Sequence, residues 1–353
     1  MNIYFDARWT RVGRHDGVSR YGASLLEALA KQHPVTMLIC DDRQLDMLPN
    51  VPHIKVNSPF SPAELLLPRK LNKLGADVVF SPLQVMGFWG HKYKLILTLQ
   101  DTIYYHYPKP PTNLPAPIRL VWWLFHQAYW PQRWLLNHAD YITTVSETSK
   151  KFIQQFHLTD RPIGVIYNAP PKLTRHQAPN AKPKKELVYM GTFMPYKNAE
   201  LLVKAMEYLP GYKLNLASRV TPQRKAELLK LAGNPEQIVF WNGISDEDYY
   251  KLLKSSTALV TASKHEGFGL PLVEAMSHGV PVACSDMEVF HEVCGPAGLY
   301  FDYDDPQSVA KQITKLEDPK VYKRYAQAGL ERAKKFSWEN SARKLLGIID
   351  SLT

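Results

Sequence analysis

The sequence predicts an α/β protein of two domains, each built around a parallel sheet. Three observations lead to this class: the length, the alternation of short apolar segments with helical ones, and a proline- and lysine-rich segment near the middle. The chain has 353 residues, which is more than a single hydrophobic core usually accommodates. Its 45% hydrophobic and 22% charged residues are typical of a globular protein.

Short and almost continuous apolar segments predict the strands of the first domain. They cover residues 2–7, 35–40, 77–81, 95–99 and 139–145. Segments of this kind suit a parallel sheet that helices cover on both faces. Between the first two, residues 18–30 carry apolar side chains at helical spacing, after a loop that ends at Gly17. Ser146 follows the last strand and is expected to cap a helix.

A change of composition marks the boundary between the domains. Residues 171–185, which we assign as the linker, contain three prolines and four lysines. The alternation then resumes, with strands predicted at 187–191, 213–217, 237–241, 258–262 and 281–285 and helices at 199–208 and 221–231. Repeated β–α units in both halves imply two parallel sheets. We therefore expect a first domain over residues 1–170, a second over 186–335 and a final helix over 336–353 that returns to the first domain.

The balance of charge limits the partners. Lysine and arginine exceed the acidic residues by ten, which suits nucleic acid, an anionic membrane surface or phosphate-bearing small substrates. A merely solvated basic surface is the alternative. The chain has no zinc-finger spacing, no RNA-recognition signature and no dense basic segment, so we do not expect a nucleic acid partner.

The cysteines and the N-terminal residues bear on the compartment. Cys40, Cys284 and Cys294 form an odd, sparse set that suits a reducing compartment better than a disulfide framework. The first residues lack a basic start followed by an apolar core, so no secretion signal is expected. No segment approaches the roughly 18 continuous apolar residues of a spanning helix. We expect a cytoplasmic protein.

The segment at 266–271, EGFGLP, is the most informative in the chain. It follows the strand predicted at 258–262, and its two glycines permit positive φ or close approach of the backbone to a ligand. Pro271 suits the first position of a helix, while Gly279 and Pro281 suit its end. The amides at the start of such a helix favour an anion, such as a diphosphate.

Glu266 and Glu274 flank this predicted anion site and need another partner, because a carboxylate repels a phosphate. Neutral hydroxyls fit, and a nucleotide sugar offers them on the ribose and on the sugar, either side of its diphosphate. An acidic residue holds the ribose of dinucleotides in the same way. The alternative is that Glu274 is an ordinary acid near a helix start and that the glycines form a structural turn.

The segment EGFGLPLVEAM at 266–276 closely resembles the EGFGLPxxEAM block of family 4 glycosyltransferases. That family has the GT-B fold, in which two Rossmann-like domains face each other across a cleft. Other blocks resemble the family in the same order, at 17–21, 100–101 with Pro108, 144–147, 166–168, 191–192 with 197–198, 242–246 and 336–338. The resemblance covers nearly the whole chain; the EGFGLP block is highly specific and the others are individually weak.

The resemblance implies a set of donor-binding residues. These are Gly17, Gly191, Thr192, Lys197, Gly243, Glu266, Gly267, Phe268, Gly269, Leu270 and Glu274. Glu274 would bind the ribose, Glu266 a hydroxyl of the donor sugar, and the amides of residues 267–270 the sugar or the diphosphate. Lys197 would pair with the diphosphate and stabilise it as it leaves, since negative charge builds on its oxygen.

Two departures from the family concern the chemistry. Many relatives have an arginine within the block at 191–197, where this chain has Thr192 and Tyr196, so Lys197 is the strong cation expected there. Many also have His-Asp where this chain has Gln100-Asp101. Gln100 can donate and accept hydrogen bonds but cannot act as a general base.

The expected catalytic residues are Lys197, Glu266, Asp101 and Gln100. A double displacement needs a carboxylate nucleophile, for which Asp101 is the conspicuous candidate unless its role is structural. Retaining members of the family are usually assigned a front-face route, in which the leaving phosphate takes the acceptor's proton, and that route tolerates Gln100. We expect no metal and no cofactor, and interpret the acidic pairs at 41–42 and 304–305 as loop acids.

Aromatic and basic residues alternate over 104–136. With Arg20, we place Tyr104, Tyr105, Arg119, Trp122 and Trp123 on the acceptor or membrane side; Arg20 either adds charge near the diphosphate or braces the first helix. Residues 1–170 contain 18 basic and 12 acidic residues. This composition suits peripheral binding to the inner face of an anionic cytoplasmic membrane, and the alternative is a well-packed helix that covers the first sheet.

The expected function is that of a retaining glycosyltransferase. It would move a mannose-like hexose from a nucleotide sugar, GDP- or UDP-type, to a glycan or lipid-linked acceptor in bacterial polysaccharide or lipopolysaccharide synthesis. One alternative is a nucleotide-sugar epimerase of the same fold, against which the aromatic segment counts weakly. The other is a non-catalytic nucleotide-sugar-binding subunit, to which only Gln100 points.

Overall fold

The computed structural model describes residues 1–110, 116–171 and 183–353. The chain divides into two compact units, Met1–Asn168 with Ser337–Thr353 and Ala169–Phe336. Each unit contains one parallel sheet, so the predicted α/β class with two parallel sheets is confirmed.

The strands and helices of the described residues follow in chain order. The strands are β1 (Ile3–Asp6), β2 (Val35–Ile39), β3 (His53–Lys55), β4 (Val78–Ser81), β5 (Lys94–Leu99), β6 (Tyr141–Thr144), β7 (Ile163–Val165), β8 (Lys184–Tyr189), β9 (Lys213–Leu216), β10 (Ile238–Phe240), β11 (Ser256–Thr261), β12 (Val282–Ser285) and β13 (Gly298–Phe301). The helices are α1 (Gly17–Ala30), α2 (Leu67–Lys73), α3 (Ile103–His106), α4 (Ala116–Phe125), α5 (Trp130–Leu136), α6 (Glu147–Gln155), α7 (Ala199–Ala205), α8 (Pro222–Leu229), α9 (Asp246–Ser255), α10 (Leu270–Ser277), α11 (Glu288–Cys294), α12 (Pro306–Thr314), α13 (Pro319–Ala333) and α14 (Trp338–Asp350).

The first unit is built on a seven-stranded sheet of order β3-β2-β1-β4-β5-β6-β7, with every described pairing parallel. Phe5 of β1 lies opposite Met37 of β2 and Phe80 of β4, and all three side chains are buried. Every residue of β1 and of β4 is buried, so these predicted strands are buried on both faces. The order reverses between β1 and β4, which opens a crevice at the carboxyl ends of those strands.

Helices α1 and α14 pack against each other in the first unit. Tyr21 of α1 is fully buried and contacts the Trp338 ring edge-on, with 5.9 Å between centroids. Ser337 caps α14 by accepting a hydrogen bond from the Asn340 amide, and Ser341 donates to the Tyr167 carbonyl at 2.7 Å. The last helix of the chain thus completes the core of the first unit.

The second unit is built on a six-stranded parallel sheet of order β10-β9-β8-β11-β12-β13. The order reverses between β8 and β11. Crevices at such reversals, beyond the carboxyl ends of the strands, are the usual ligand sites of open α/β sheets. The loops that follow β8 and β11 contain most of the predicted donor-binding residues.

Some predicted boundaries differ from the structure. Residues 172–182 of the predicted linker lie outside the described residues, whereas Lys184 and Lys185 form the start of β8, because Lys184 pairs with Ser256 of β11. Strands β3, β7 and β13 were not predicted; each has three or four residues and lies at the edge of a sheet. Ser146 caps α6 as predicted, accepting a hydrogen bond from the Ser149 amide at 3.0 Å.

Two further observations concern chemistry and membranes. Cys40, Cys284 and Cys294 are free thiols. Among the helices of the described residues, none combines the length and the apolar character that crossing a bilayer requires.

Candidate active site

The predicted donor loop joins β11 to α10 in the second unit. Gly269 precedes the helix with φ 93°, and a Cβ at this position would lie 2.8 Å from a ring carbon of Phe290 and 3.1 Å from Leu272. Both the backbone conformation and the lack of space therefore require glycine. Pro271 is the second helical residue, one position later than predicted, where its missing N–H is still tolerated.

The N-terminus of α10 presents backbone amides at this edge of the sheet. The first amides of a helix are its electropositive end, because the helix dipole adds partial positive charge there, although in α10 Pro271 has no N–H and the Leu272 amide donates to the Gly269 carbonyl. The Phe268 side chain is buried and contacts the Phe336 ring edge-on, with 5.4 Å between centroids, so this side chain is not available to a ligand. The predicted use of the amides at 267–270 stays a prediction.

Lys197 and Glu266 form an ion pair at the crevice. Lys197 Nζ lies 2.5 Å from Glu266 Oε1, and Ser263 Oγ donates to the same oxygen at 2.8 Å. The two charged side chains are 16% and 13% exposed, so the pair is mostly shielded from water but reachable. Both contacts use Oε1, which leaves Oε2 without a hydrogen-bond partner among the residues that the structure describes.

Lys197 is held by a stiff turn. It ends a 3-10 turn, Pro195–Lys197, that follows β8. The Lys264 amide donates to the Tyr196 carbonyl at 2.7 Å, and the Asn198 side chain donates to the Tyr303 carbonyl at 2.8 Å. The lysine turn is thus tied to the glutamate loop and to the segment after β13.

Gly191, Thr192 and Gly243 lie at the same edge, after β8 and β10. The Gly191 amide donates to Ser218 Oγ at 3.0 Å, and the Tyr189 hydroxyl donates to the Thr192 carbonyl at 2.6 Å. Gly243 has φ 99°, and its amide donates to the Ala217 carbonyl. The loops after β8, β9 and β10 are therefore joined by hydrogen bonds, one to the Ser218 hydroxyl and one between backbone groups of Gly243 and Ala217.

Arg219 is a cation at this edge that the sequence analysis missed. It follows β9, and a Cβ on Gly243 would lie 2.8 Å from its Cγ and 3.0 Å from its Nε, so the arginine lies across the glycine. Lys197 pairs with Glu266, and Lys264 pairs with Asp304 at 2.6 Å. Arg219 has no ion-pair partner among the described residues. Its position directly after a predicted strand is the signal that could have identified it.

Glu274 is the fifth residue of α10 and is buried, with 5% of its surface exposed. Its carbonyl accepts hydrogen bonds from Ser277 Oγ and His278 Nδ1. Burial of an acidic side chain is unusual and requires polar partners. Its predicted role at the ribose stays a prediction.

The remaining predicted residues belong to the first unit. Gln100 Nε2 donates to the Pro82 carbonyl at 2.8 Å, and Asp101 Oδ1 accepts from the Ile103 amide at 3.1 Å. Both side chains therefore stabilise turns after β4 and β5. Tyr104 and Tyr105 lie on α3, and Arg119, Trp122 and Trp123 lie on α4.

Gly17, a predicted donor-binding residue that the family resemblance places at the diphosphate, is the first residue of α1. Asp16 precedes it and accepts a hydrogen bond from the Ser19 amide at 2.9 Å, while also pairing with Arg11. A carboxylate thus caps the end where the diphosphate was predicted to bind, which adds repulsion. Arg20 lies in the first turn of α1, where its amide donates to the Asp16 carbonyl.

Both halves of the chain match family models. Residues 172–332 match Glycosyl transferases group 1, and residues 15–169 match Glycosyltransferase Family 4. O-antigen chain mannosyltransferase B of Escherichia coli is 35% identical over 161 residues, which are 43% of this chain and 42% of that protein; the matched segment thus spans less than half of this relative. O-antigen chain mannosyltransferase RfbU of Salmonella typhimurium is 28% identical over 333 residues, covering 88% of this chain and 90% of that protein.

A solved structure shows the same fold. Sucrose-phosphate synthase from Thermosynechococcus elongatus superposes with a TM-score of 0.76 at 20% identity, over 100% of this chain and 99% of that one. The predicted GT-B fold is confirmed. With one family model matching each half, the chain belongs to the group 1 and family 4 glycosyltransferases.

Proposed function

We propose that the protein transfers mannose from a nucleotide sugar to a glycan or lipid-linked acceptor during assembly of a bacterial O-antigen or lipopolysaccharide. The names of the relatives above support the sugar and the pathway. The observation that carries the proposal is the crevice of the second sheet, where a helix N-terminus, a cation and two glutamates belong to adjoining segments.

These groups match the chemistry of a nucleotide sugar. A diphosphate suits the amides before α10 and the Lys197 ammonium, because both offer positive charge in a partly shielded site. The hydroxyls on either side of it suit Glu266 and Glu274 as acceptors. Arg219, lying over Gly243, supplies the second cation that the block at 191–197 lacks.

The ion pair prepares the site for this ligand. Lys197 is held beside Glu266, so neither side chain has to be ordered when the donor binds. Glu266 Oε2 then accepts a sugar hydroxyl, while Lys197 moves its charge toward the diphosphate. During transfer, negative charge builds on the leaving phosphate oxygen, and a preorganised cation stabilises it.

We assign retention of configuration and a front-face displacement to this reaction. The bond between the anomeric carbon and the phosphate oxygen breaks, and the acceptor oxygen bonds to that carbon on the same face. The acceptor proton passes to the departing phosphate oxygen. This route needs neither a titratable side chain at position 100 nor a nucleophile at Asp101, whose carboxylate holds the turn at Ile103. Lys197, Arg219 and the helix amides meet the phosphate charge, so we propose no resident cofactor.

A thermal-shift screen followed by a transfer assay tests the function. A donor that binds only the folded state raises the free energy of unfolding of the protein by about 2.7 kcal/mol when the donor concentration is 100 times the dissociation constant. We expect one of GDP-, UDP-, ADP- and dTDP-sugars to raise Tm selectively, and its sugar to appear on an acceptor with the anomeric configuration retained. An isomerised donor without acceptor-dependent product, or no shift with any donor, would contradict the proposal.

A further inference from the structure

Helix α4 of the first unit has an apolar sequence and no buried residue. Its side chains between 42% and 66% exposed are Ile118, Leu120, Val121, Trp123 and Leu124. Trp122 anchors the helix, meeting the Tyr104 ring edge-on at 4.7 Å and stacking on His126 at 3.9 Å. A helix that is apolar on most sides normally lies in a protein core or in lipid.

Other exposed apolar side chains occur near α4 along the chain and on neighbouring loops. Trp130 and Trp134 of α5 are 68% and 50% exposed, and Trp89 is 61% exposed. Phe88 joins two of them, since its ring lies 6.3 Å from that of Trp89 and 5.3 Å from that of Trp134. We call the exposed apolar side chains of α4 together with Trp89, Trp130 and Trp134 the tryptophan face.

The 3-10 turn Pro62–Leu66 extends the tryptophan face. Leu65 and Leu66 are exposed, and the residue before them, Glu64, accepts a hydrogen bond from the Gly87 amide at 2.9 Å. Arg8 Nη1 binds the same carboxylate at 2.6 Å. Buried arginine and backbone contacts therefore fix these leucines beside the loop that carries Trp89.

The sequence segment that contains α4, Trp89, Trp130 and Trp134 carries mostly positive charge. Between Asp77 and Asp140 the sequence contains a single acidic residue, Asp101. The same segment contains five cations, Lys92, Lys94, Lys109, Arg119 and Arg133, of which Lys94 pairs with Asp140 at 3.7 Å. A second copy of the chain would bring like charge against like, whereas anionic lipid headgroups would neutralise it.

We propose that the tryptophan face docks the first unit on the surface of an anionic bilayer. Tryptophan is enriched at membrane interfaces, where its apolar ring and its N–H are both accommodated. The exposed leucine, valine and isoleucine side chains enter the acyl boundary, while Arg119 and Lys109 meet phosphate headgroups. A helix of this kind lies in the plane of the interface.

Vesicle co-sedimentation tests the docking. The wild-type chain is mixed, without donor or acceptor, with vesicles of phosphatidylcholine containing phosphatidylglycerol and with vesicles of phosphatidylcholine alone. We expect binding to the anionic vesicles that weakens with salt. The triple variant Val121→Ser, Leu124→Ser, Trp130→Ser should bind at least tenfold more weakly, because it removes three exposed apolar side chains without opening a cavity.

Two matched variants separate the contributions. Leu231→Ser removes an exposed apolar side chain of the second unit and should leave binding unchanged. Arg119→Gln should reduce the preference for anionic vesicles about threefold or more and flatten the salt dependence, as expected for one lost contact to a charged surface. Circular dichroism checks that every variant is folded.

Three results would overturn the proposal. They are absence of binding to anionic vesicles, equal binding by the triple variant, and a triple variant whose only change in ultracentrifugation is loss of a dimer. The docking does not depend on the proposed transfer, because its assay contains no donor. A soluble acceptor should be glycosylated equally by the wild type and the triple variant, so failure of the two proposals can be distinguished.

Discussion

The two sheets share an architecture but differ in how their carboxyl-edge loops use polar side chains. In the first unit, Gln100 and Asp101 hydrogen-bond to backbone groups of nearby turns. In the second unit, Lys197 and Ser263 both donate to the carboxylate of Glu266, and the lysine comes from a different loop. The first edge stabilises its own turns, while the second brings charged side chains together in a partly shielded crevice.

This difference shows that the fold supplies positions and the loops supply the chemistry. The first unit is distinguished instead by its exposed tryptophan face. Most residues of that face belong to a sequence segment that is almost free of acidic residues. We therefore expect substitutions at the second edge to act on donor use, and those at the first edge to act mainly on stability.

The largest effect is expected for Lys197→Ala. Loss of a preorganised charge at a developing oxyanion typically costs 10²- to 10³-fold in kcat, so we expect a loss of about 10³-fold in a transfer assay, with a chain that stays folded. Lys264→Ala, which removes a cation of the adjoining loop paired with Asp304, is the matched control and should lose less than about threefold. Near-normal transfer activity of Lys197→Ala would contradict the assignment of Lys197 to the active site.

Asp101→Asn tests whether the first edge takes part in the reaction. It should keep most of the transfer activity, because the amide oxygen can still accept the Ile103 hydrogen bond. A loss as large as that of Lys197→Ala, measured in the same assay, would show that the first edge takes part in the chemistry.

Glu274→Ala should lower kcat/KM for the donor about 100-fold. Hydrogen bonds from a ligand to a charged acceptor contribute roughly 1.5–3 kcal/mol, and this acid is buried within α10. Glu207→Ala, an exposed acid of the same unit, is the control. Donor kinetics that match those of the control would contradict the role at the ribose.

Arg219→Gln should raise KM for the donor about tenfold with little change in Tm, because the arginine has no ion-pair partner among the described residues. Arg224→Gln should lower Tm with little change in KM, since Arg224 pairs with Glu200 and with Glu227 at 3.0 Å. If both variants change only Tm, Arg219 is a structural residue.

Gly269→Ala should destabilise the second unit by about 2–4 kcal/mol in denaturant unfolding, combining a strained φ with overlap on Phe290. Gly211→Ala has a similar φ of 81° but nothing within 4 Å of the added Cβ, so it should cost only about 1–2 kcal/mol. Equal costs would mean that Phe290 moves aside.

The smallest effect concerns pH in the first unit. Burial lowers the pKa of His126, which stacks on Trp122 of α4. The folded state therefore favours the neutral ring, and its contribution to stability is present above the ordinary pKa of about 6.5 and is lost as pH falls through the lowered value. The decrease in Tm between pH 7 and pH 5 should be smaller in His126→Gln than in the wild type. An equal decrease in both would mean that other titrating groups cause it.

The sequence was most informative where a strand is buried on both faces. Segments such as 95–99 and 258–262 could be identified because interior parallel strands are continuously apolar. The edge strands β3 and β7 have three residues each and lack that signal. Lys184 and Lys185 suggested a linker by composition, although pairing with β11 places them in a strand.

The sequence predicted those parts of the site that depend on residues close together in the chain, but not the contacts between distant residues. The glycines and the helix after 266 could be inferred because the signals are local. The contact between Lys197 and Glu266 joins residues 69 positions apart and depends on β8 lying beside β11, which composition does not reveal. Asp16 was missed as a helix cap, although an aspartate before a helical segment is a favourable one.

The carboxylate 2.5 Å from Lys197 has a consequence for turnover. Any anion that binds Lys197 must compete with the Glu266 carboxylate, which is part of the same chain and cannot diffuse away. The free energy of anion binding to Lys197 is therefore only the difference between the two pairings. After transfer, the nucleoside diphosphate product would compete with Glu266 in the same way. As the product leaves, the lysine could pair with Glu266 again without an ion from solvent. We therefore expect the pair to favour rapid product exchange over tight retention.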